Sequence, residues 1–342
     1  MATIYDVARA AGVTAATVSV ALSGRGVVNR KTREHILRCA EELGYRPNLV
    51  ARSLTTGVTH TIGLVVMDIT NPFYGEVALA VEQTALRAGY RVTFANTMGD
   101  ESLGADLLDD LAARQVDGII VMAGGMSASA VRGAATRGVP IVPCMWDEEE
   151  DHGLVTSVGI DFYTAVRLVA DFLVDLGHRR VGIVAMCGPD DEKIRMRESA
   201  FRDRMAERGF PIDPALWHTA HDTLETGYVA GRDLLARPEP PTAIFAGNDV
   251  MAIGVMAAAR DTGVRVPDQL TVVGFDDLAV SRYVFPPLTT VRIPKAELMA
   301  QATELLLKLI AGEDVATPVS MVPTLVVRES SAPPGARDLE RR

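Results

Sequence analysis

Apolar side chains recur at helical spacing from the amino terminus of the chain. Two groups each fall on one face of a short helix: Ile4, Val7 and Ala8, and then Val18, Ala21 and Leu22. Thr3 and Thr14 stand where N-cap residues are needed, and Gly12 can adopt the left-handed conformation that ends a helix. The pattern predicts two short helices joined by a tight turn. The outward face of the second helix is predicted to carry small residues: Ala15, Ala16, Ser19 and Val20.

A third helix is predicted directly after a glycine-rich loop. Asn29 is a suitable N-cap, Ile36 and Ala40 continue the apolar pattern, and Gly44 ends it. Two helices around a short turn, followed by a third, are typical of a helix-turn-helix that places its second helix in the major groove of DNA. For the two-helix pattern alone, an ordinary helical hairpin packed on a larger domain is the alternative.

From residue 61 the pattern changes to short apolar runs that alternate with helical segments. Residues 61–67 form a continuous apolar run, which is typical of a buried parallel strand, and a helix is predicted to begin at Pro72. The alternation fills one lobe and starts again at Phe162. The sequence therefore predicts a small all-α head followed by an α/β core of two doubly wound parallel-sheet lobes with a cleft between them.

Charge is distributed unevenly along the chain. The 342 residues include 34 Lys and Arg against 44 Asp and Glu, a formal net charge of −10. Residues 1–60 hold eight basic and four acidic residues, a net +4, so the remaining residues carry −14. A basic head on an acidic body suits a polyanion-binding module attached to a part that does not touch the polyanion.

Several classes of protein are disfavoured by composition. Cys39, Cys144 and Cys187 lie far apart, and the six histidines form no ligand motif, so we expect buried reduced thiols, no metal and no cofactor. No run of about 18 apolar residues occurs, and the amino terminus does not have the pattern of a signal sequence. The protein is therefore expected to be soluble and cytoplasmic, with no membrane partner.

Short motifs at fixed spacings connect the head to a known family. They are Ile4-Tyr-Asp-Val-Ala8, Gly12-Val-Thr-x-x-Thr-Val-Ser19, Thr32-Arg33, Leu43-Gly-Tyr-x-Pro-Asn48 and Ala51-Arg-Ser-Leu54. Together they resemble the amino-terminal signature of the lactose-repressor/galactose-repressor family of bacterial transcription factors. The resemblance continues to about residue 329. It implies a homodimeric repressor that binds a near-palindromic DNA operator and whose core is like a periplasmic binding protein.

The resemblance also implies a division of the chain. We expect a helix-turn-helix domain at 1–46, a hinge at 47–59, a two-lobed effector-binding and dimerisation domain at 60–329 and a flexible tail at 330–342. The first lobe is expected at 60–160 and 288–320, and the second at 161–287 and 321–329.

Candidate DNA contacts follow from the positions that match the family. They are Thr14, Ala15, Ala16, Thr17, Ser19, Val20, Asn29, Tyr45, Ala51 and Leu54. The resemblance implies that Leu54 enters the minor groove as a wedge that unstacks a base step; burial of Leu54 against the body is the alternative. Ala15, Ala16 and Val20 are smaller or less polar than is common in the family. They cannot make bidentate contacts to bases, so readout would depend on thymine methyl groups and DNA shape.

Candidate effector contacts follow the predicted strands or match the family's binding positions. They are Phe73, Tyr74, Trp146, Arg197, Asp222, Asn248 and Asp276. An arginine, an amide and a carboxylate in one cleft suit a sugar or related polyol, because hydroxyl groups both donate and accept hydrogen bonds. The aromatic residues can pack against a ring face. Asp222 stands where the family often has an aromatic residue, and an acid there favours extra hydroxyls or an amine.

Structural roles are open for the same residues. Asn248 and Asp276 are also suited to capping the helices that follow their strands. Two other functional classes compete with a regulator. A solute-binding protein of a sugar transporter is disfavoured by the missing signal sequence and the basic head. An enzyme is disfavoured because the sequence contains no HExxH, GxSxG or GxxxxGK[ST] motif.

Overall fold

A computed structural model describes most of the chain. The described residues are 2–23, 27–46, 53, 57–122, 126, 128–135, 138–145, 157–186, 192–315 and 319–335. The chain divides into two compact units, Met1–Thr59 and His60–Arg342. We call them the head and the body.

The described part of the head consists of helices α1 (Ile4–Ala11), α2 (Ala15–Ser23) and α3 (Arg30–Glu42). Thr3 caps α1 in a capping box with Asp6, and Gly12 ends the helix with φ of 65°. The Asn29 side chain accepts from the Lys31 amide at the start of α3. Each predicted cap is confirmed, because helix termini need local partners for their free backbone groups.

The core of the head is small and joins all three helices. Val7, Val18 and Ile36 are fully buried, and Cys39 packs with them. One expectation for α2 was wrong. Ala15 does not face outward with its neighbours but is partly buried against this core, because it lies close to the turn where α1 and α2 meet.

The body alternates strands and helices along the chain. Its described strands are β1 (Thr61–Val66), β2 (Arg91–Asn96), β3 (Gly118–Met122), β4 (Ile141–Cys144), β5 (Val158–Ile160), β6 (Val181–Met186), β7 (Trp217–Ala220), β8 (Ala243–Ala246), β9 (Thr271–Asp276), β10 (Thr289–Arg292), β11 (Val319–Met321) and β12 (Thr324–Val326). Its described helices are α4 (Pro72–Arg87), α5 (Glu101–Ala113), α6 (Ala128–Ala135), α7 (Phe162–Asp175), α8 (Glu192–Glu207), α9 (Leu224–Leu235), α10 (Asp249–Asp261) and α11 (Lys295–Ile310).

The strands form two sheets, one in each lobe. Within the described residues, the sheet of lobe 1 has the order β11-β5-β4-β3-β1-β2, and that of lobe 2 has the order β12-β10-β9-β8-β6-β7. Neighbouring strands are parallel except for β12, which runs antiparallel to β10. The predicted pair of doubly wound lobes is therefore present, with one antiparallel edge strand.

Short strands at sheet edges and near the crossings were not predicted from the sequence. They are β5, β7, β10 and β11, each of three or four residues. Such short runs carry little periodicity of their own, and partners distant in sequence define them. Thr289–Arg292 pairs with Gly274 and its neighbours in β9. The second crossing between the lobes therefore follows Arg292 and not residue 288.

The carboxyl-terminal segment departs from the flexible tail that the sequence predicts at 330–342. Ser330 is fully buried, and its hydroxyl donates to the Val272 carbonyl at 2.6 Å. The Ala332 carbonyl accepts from Thr271 and lies 3.0 Å from Nε2 of the buried His178. Residues 330–335 thus pack on the lobe 2 sheet, because their polar groups meet those of β9. Residues 336–342 lie outside the described part.

Candidate functional site

The outward face of α2 is the candidate DNA-contacting surface of the head. Ala16 and Ser19 are exposed, whereas Thr17 and Val20 are half-buried. The Thr14 hydroxyl accepts from the Thr17 amide at 3.2 Å and lies 2.9 Å from the Thr17 hydroxyl. These contacts hold the first turn of α2 in place. The exposed residues of this face, Ala16 and Ser19, have short side chains, so a nucleic acid backbone can approach it closely.

Other predicted DNA contacts border this face or lie outside the described residues. Asn29 is exposed at the start of α3, and Tyr45 is half-buried against the head core. Their roles at DNA stay predictions. Ala51 and Leu54 lie outside the described part of the hinge, and the wedge assigned to Leu54 is likewise untested. Tyr5, which the sequence reasoning did not single out, is 70% exposed on α1 and adds a large aromatic side chain to the head surface.

In lobe 1, the first strand leads into a turn that points aromatic side chains at the cleft. Asn71 caps α4 by accepting from the Phe73 amide, and Pro72 occupies the first turn. Phe73 and Tyr74 are buried, and their rings meet edge to face with centroids 5.3 Å apart. Burial raises the pKa of Tyr74, and the nearby carboxylates of Asp222 and Asp276 raise it further. Tyr74 therefore lies close to acids of lobe 2, and Phe73 packs against it.

Arg197 occupies the lobe 2 side of the same cleft. Its guanidinium carbon is 3.9 Å from the centroid of the Phe162 ring and 5.8 Å from that of Phe275. Stacking on aromatic faces restricts an arginine to one orientation while leaving its edge for hydrogen bonds. Its charge acts on both Tyr74 and Asp276. Arg197 is thus held among the candidate ligand residues.

Asn248 comes two residues after β8, and Asp276 is the last residue of the adjacent strand β9. The Asn248 side-chain oxygen accepts from the Met251 amide at 2.8 Å, so the capping role left open for this residue is present. Its amide nitrogen contacts only the weak acceptor Met186 Sδ, at 3.9 Å, among the bonds described for it. Asp276 is buried with a φ of 116°, a conformation rare for non-glycine residues. Burial and the neighbouring Asp249 raise the pKa of Asp276 well above its ordinary value.

Asp222 joins the two lobes. Its carboxylate accepts from the Asn71 side-chain amide of lobe 1 at 3.2 Å. The structure therefore brings Phe73, Tyr74, Arg197, Asp222, Asn248 and Asp276 to one cleft. Trp146 lies outside the described residues. Binding of an effector by these side chains stays a prediction.

A second bridge between the lobes, which the sequence reasoning missed, lies directly behind Asp276. Lys295 donates to the carbonyl oxygens of Asp276 at 2.5 Å and Asp277 at 3.1 Å, and it pairs with Glu76 of α4 at 3.1 Å. Glu76 also accepts from the Ala279 amide at 2.8 Å. A lysine in the first turn of a helix opposes the helix dipole, and this mismatch was the available sequence signal.

Asp249 holds the loop after β9 through hydrogen bonds within lobe 2. It accepts from the Leu278 amide at 2.8 Å, from the Ser281 hydroxyl at 2.6 Å and from the Thr290 hydroxyl. Burial nevertheless raises the pKa of Asp249 to about 6. The loop that presents Asp276 is thus fixed by Asp249 within lobe 2 and by Glu76 and Lys295 across the cleft.

Glu198 was also missed. It lies on α8 three residues before the buried Phe201, so its position on the helix is one that an apolar side chain normally occupies. Burial raises the pKa of its carboxyl to about 7, against the opposing charges of Arg197 and Arg202. In the described part of the chain, its Oε1 is buried without a hydrogen-bond partner.

The raised pKa predicts how Glu198 affects stability. An unfolded glutamate titrates near pH 4.5, so between about pH 5 and 7 the folded protein holds a proton that the unfolded chain has released. The stability that this bound proton gives the folded protein is lost as the pH rises through 7. We therefore expect the free energy of unfolding of Glu198→Gln, minus that of wild type, to increase as the pH is raised from 5 to 8. Urea unfolding at each pH measures this difference. A difference in unfolding free energy that stays constant with pH would contradict the assignment.

The sequence and fold match known regulators. Residues 3–48 match the family model described as bacterial regulatory proteins, lacI family, and residues 170–331 match a periplasmic binding protein-like domain. Catabolite control protein A of Priestia megaterium is 36% identical over 323 residues, covering 94% of this chain and 96% of that protein. The chain belongs to the lacI family of bacterial regulatory proteins.

Other members of the lacI family match over nearly the same length. The ribose operon repressor of Haemophilus influenzae is 35% identical over 335 residues, covering 96% of this chain and 98% of that protein. The lac repressor dimer bound to operator and the anti-inducer ONPF superposes with a TM-score of 0.86 at 27% identity, covering 97% of this chain and 99% of that chain. The predicted fold class and family are confirmed.

Membership of the lacI family establishes the general activity. The protein is a DNA-binding transcriptional repressor with a ligand-binding core, and its relatives are regulators and not enzymes. Among the described residues, we find no helix with the length and hydropathy needed to cross a membrane.

Proposed function

We propose that this repressor acts as a homodimer on a near-palindromic operator and that a sugar or related polyol, bound between its lobes, controls its operator affinity. The observation that carries the proposal is the cleft itself. Arg197, Asp222 and Asp276 meet there beside the aromatic pair of Phe73 and Tyr74. Charged donors and acceptors next to ring faces suit a ligand with hydroxyl groups on an apolar frame.

Relatives bind ligands of this class. The regulator CelR was solved as a complex with cellobiose, and this chain superposes on it with a TM-score of 0.70 at 30% identity, covering 96% of this chain and 100% of that chain. Another relative carries the name ribose operon repressor. These names describe those proteins, and they support a hydroxylated effector for this one.

Closure of the cleft provides the link to DNA. The Asn71–Asp222 bond joins the lobes at the cleft, and so do the hydrogen bonds of Lys295 and Glu76 with the loop after β9. An effector that contacts both lobes stabilises one arrangement of these bridges over another. Its regulatory effect equals the difference in its affinity for the two arrangements, typically about 1–3 kcal/mol. We propose that this difference is transmitted to the hinge at residues 47–59.

Apolar side chains exposed on the body support a dimer. Tyr283 and Phe285 of lobe 2 are 82% and 93% exposed, and Met98 of lobe 1 is 71% exposed. Large exposed apolar groups on a globular body commonly mark a protein interface. A single head of this size buries too little surface for tight specific binding, and two heads in one dimer meet two half-sites.

A charge placed on α2 tests the DNA-binding surface. We expect Ala16→Asp in the full-length chain to weaken operator binding by about 100-fold or more, because two carboxylates per dimer would face phosphates. The operator is first obtained by selection from a random duplex library, which also reports whether two half-sites are chosen. Binding is then measured by fluorescence anisotropy.

The matched control is Ala10→Asp. Ala10 is an exposed alanine on α1, so the intrinsic helix propensity lost is the same while the new charge stands on α1 and not on α2. Near-wild-type binding by Ala10→Asp together with loss by Ala16→Asp supports the proposal. Equal binding by the two variants would exclude the α2 face as the contact surface.

A further inference from the structure

A cavity lies under α8, next to the guanidinium of Arg197. It lies between α7, α8 and the carboxyl ends of β6, β8 and β9, and its volume is about 420 Å³ when the open solvent beside it is included. Its apolar lining is Val166, Ile183, Met186, Phe201, Phe245 and Phe275. Arg197 and Glu198 supply its charged groups. The cavity therefore continues the candidate effector site into the interior of lobe 2.

Glu198 places a carboxyl group in this apolar surrounding. Its Oε1 has no hydrogen-bond partner in the described part of the chain, although the atom is shielded from water. A carboxylate oxygen without a donor costs free energy that a methionine or leucine at the same position would avoid. Buried polar groups in native proteins are nearly always bonded. The missing donor is accounted for if a ligand supplies it.

The charges around the cleft favour a positively charged donor. Asp222 and Asp276 act on Tyr74 from the same cleft, and Glu198 lines the cavity together with Arg197. Arg197 provides positive charge, whereas Lys295 is already engaged by Glu76. An ammonium group offers three donors and the charge that stabilises an ionised carboxylate away from water.

We propose that the effector is a hydroxylated amine, such as an amino sugar or an amino polyol, and that its ammonium group binds Glu198 in this cavity. This inference rests on the proposed function, because it takes the cleft as the effector site. In this arrangement Arg197 binds hydroxyl groups and Glu198 selects the amine. Glu198 is then a specificity residue.

Matched probes separate the amine from the sugar. D-glucosamine and D-galactosamine are compared with D-glucose and D-galactose by calorimetry and by shifts of the melting temperature. The proteins are wild type, Glu198→Gln, Arg197→Ala and the control Glu207→Gln. Glu207 lies on the same helix but pairs with Arg167 and Arg204 at the surface, so it controls for the substitution itself.

We expect an aminated probe to bind wild type and Glu207→Gln alike and to bind Glu198→Gln about 10- to 100-fold more weakly, which is the range for losing a charged hydrogen bond. Probes without nitrogen should bind wild type and Glu198→Gln equally. Glu198→Met should also raise the melting temperature of the unliganded protein, since it removes the buried carboxyl and fills space in the cavity.

Each other outcome decides against the amine. The amine proposal is overturned if wild type binds no aminated probe. It is also overturned if Glu198→Gln binds the aminated probes as tightly as wild type does. If sugars without nitrogen bind and depend on Arg197 but not on Glu198, the proposed function stands and the amine inference fails. If probes bind with equal affinity to wild type and Arg197→Ala, the cleft is not the site and both proposals fail.

Discussion

Arg197→Ala is expected to abolish the response to the effector while leaving operator affinity in the absence of effector unchanged. The guanidinium lies over Phe162, 3.9 Å from the ring centroid, and its charge acts on Asp276 of the same lobe. Removing it deletes up to two charge-assisted hydrogen bonds to the ligand, each worth about 1.5–3 kcal/mol. Effector affinity should therefore fall by about 100-fold or more, as measured by calorimetry with any effector that the wild type binds.

The control for this substitution is Arg202→Ala. Arg202 lies on the same helix, α8, but it is exposed and pairs only with the neighbouring Asp203 among the ion pairs described for it. Its removal should leave effector affinity within about twofold of wild type, since an exposed ion pair contributes little. An Arg197→Ala variant that still responds at wild-type effector concentrations would place the binding site elsewhere.

Gly254→Ala is expected to lower the free energy of unfolding of the body strongly, because the added methyl group collides with backbone atoms. Gly254 of α10 faces α9 so closely that a Cβ would collide with the Leu224 carbonyl oxygen and lie 2.7 Å from the Tyr228 nitrogen. Both obstacles are backbone atoms, so relief requires the helices to separate. We expect a loss of about 3 kcal/mol in unfolding free energy and a melting temperature lower by roughly 5–10 °C.

The same substitution should also weaken effector binding. Asp222 lies just before α9, and Asn248 caps α10, so the spacing of these two helices sets the distance between two of the candidate ligand residues. Gly75→Ala is the matched control. Gly75 is exposed in α4, and a Cβ there would meet nothing within 4 Å. Alanine should stabilise that helix by about 0.5–1 kcal/mol. Equal melting temperatures for the two variants would show that the α9–α10 contact is looser than described.

Local signals were sufficient to predict the head. The capping box at Thr3, the left-handed Gly12 and the cap at Asn29 involve hydrogen bonds between residues at most a few positions apart. The apolar positions Val7, Val18 and Ile36 then specify which faces meet. The long buried strands and helices of the body were predicted for the same reason, because each carries its own periodicity. Membership of the family was also evident from the spacing of the head motifs.

The lengths and partners of the short strands could not be predicted. Thr289–Arg292 follows two prolines and has no clear alternation, yet it is a strand because β9 lies beside it. Ser330 and Ala332 were assigned to a flexible tail, since nothing in their own sequence indicates that Val272 and Thr271 hold them. In both cases the hydrogen bonds that define the structure join residues about 15 to 60 positions apart.

The sequence by itself determined the order of the elements, the basic charge of the head and the residue types that follow the strands of each lobe. Only the tertiary structure decided which of these residues share a cleft, that Lys295 and Glu76 support Asp276 from behind, and that Glu198 faces an apolar cavity. The physical reason is the range of the interactions. Helix caps and periodicity act over a few residues, whereas burial and charge depend on neighbours that the chain brings together only when both lobes have folded.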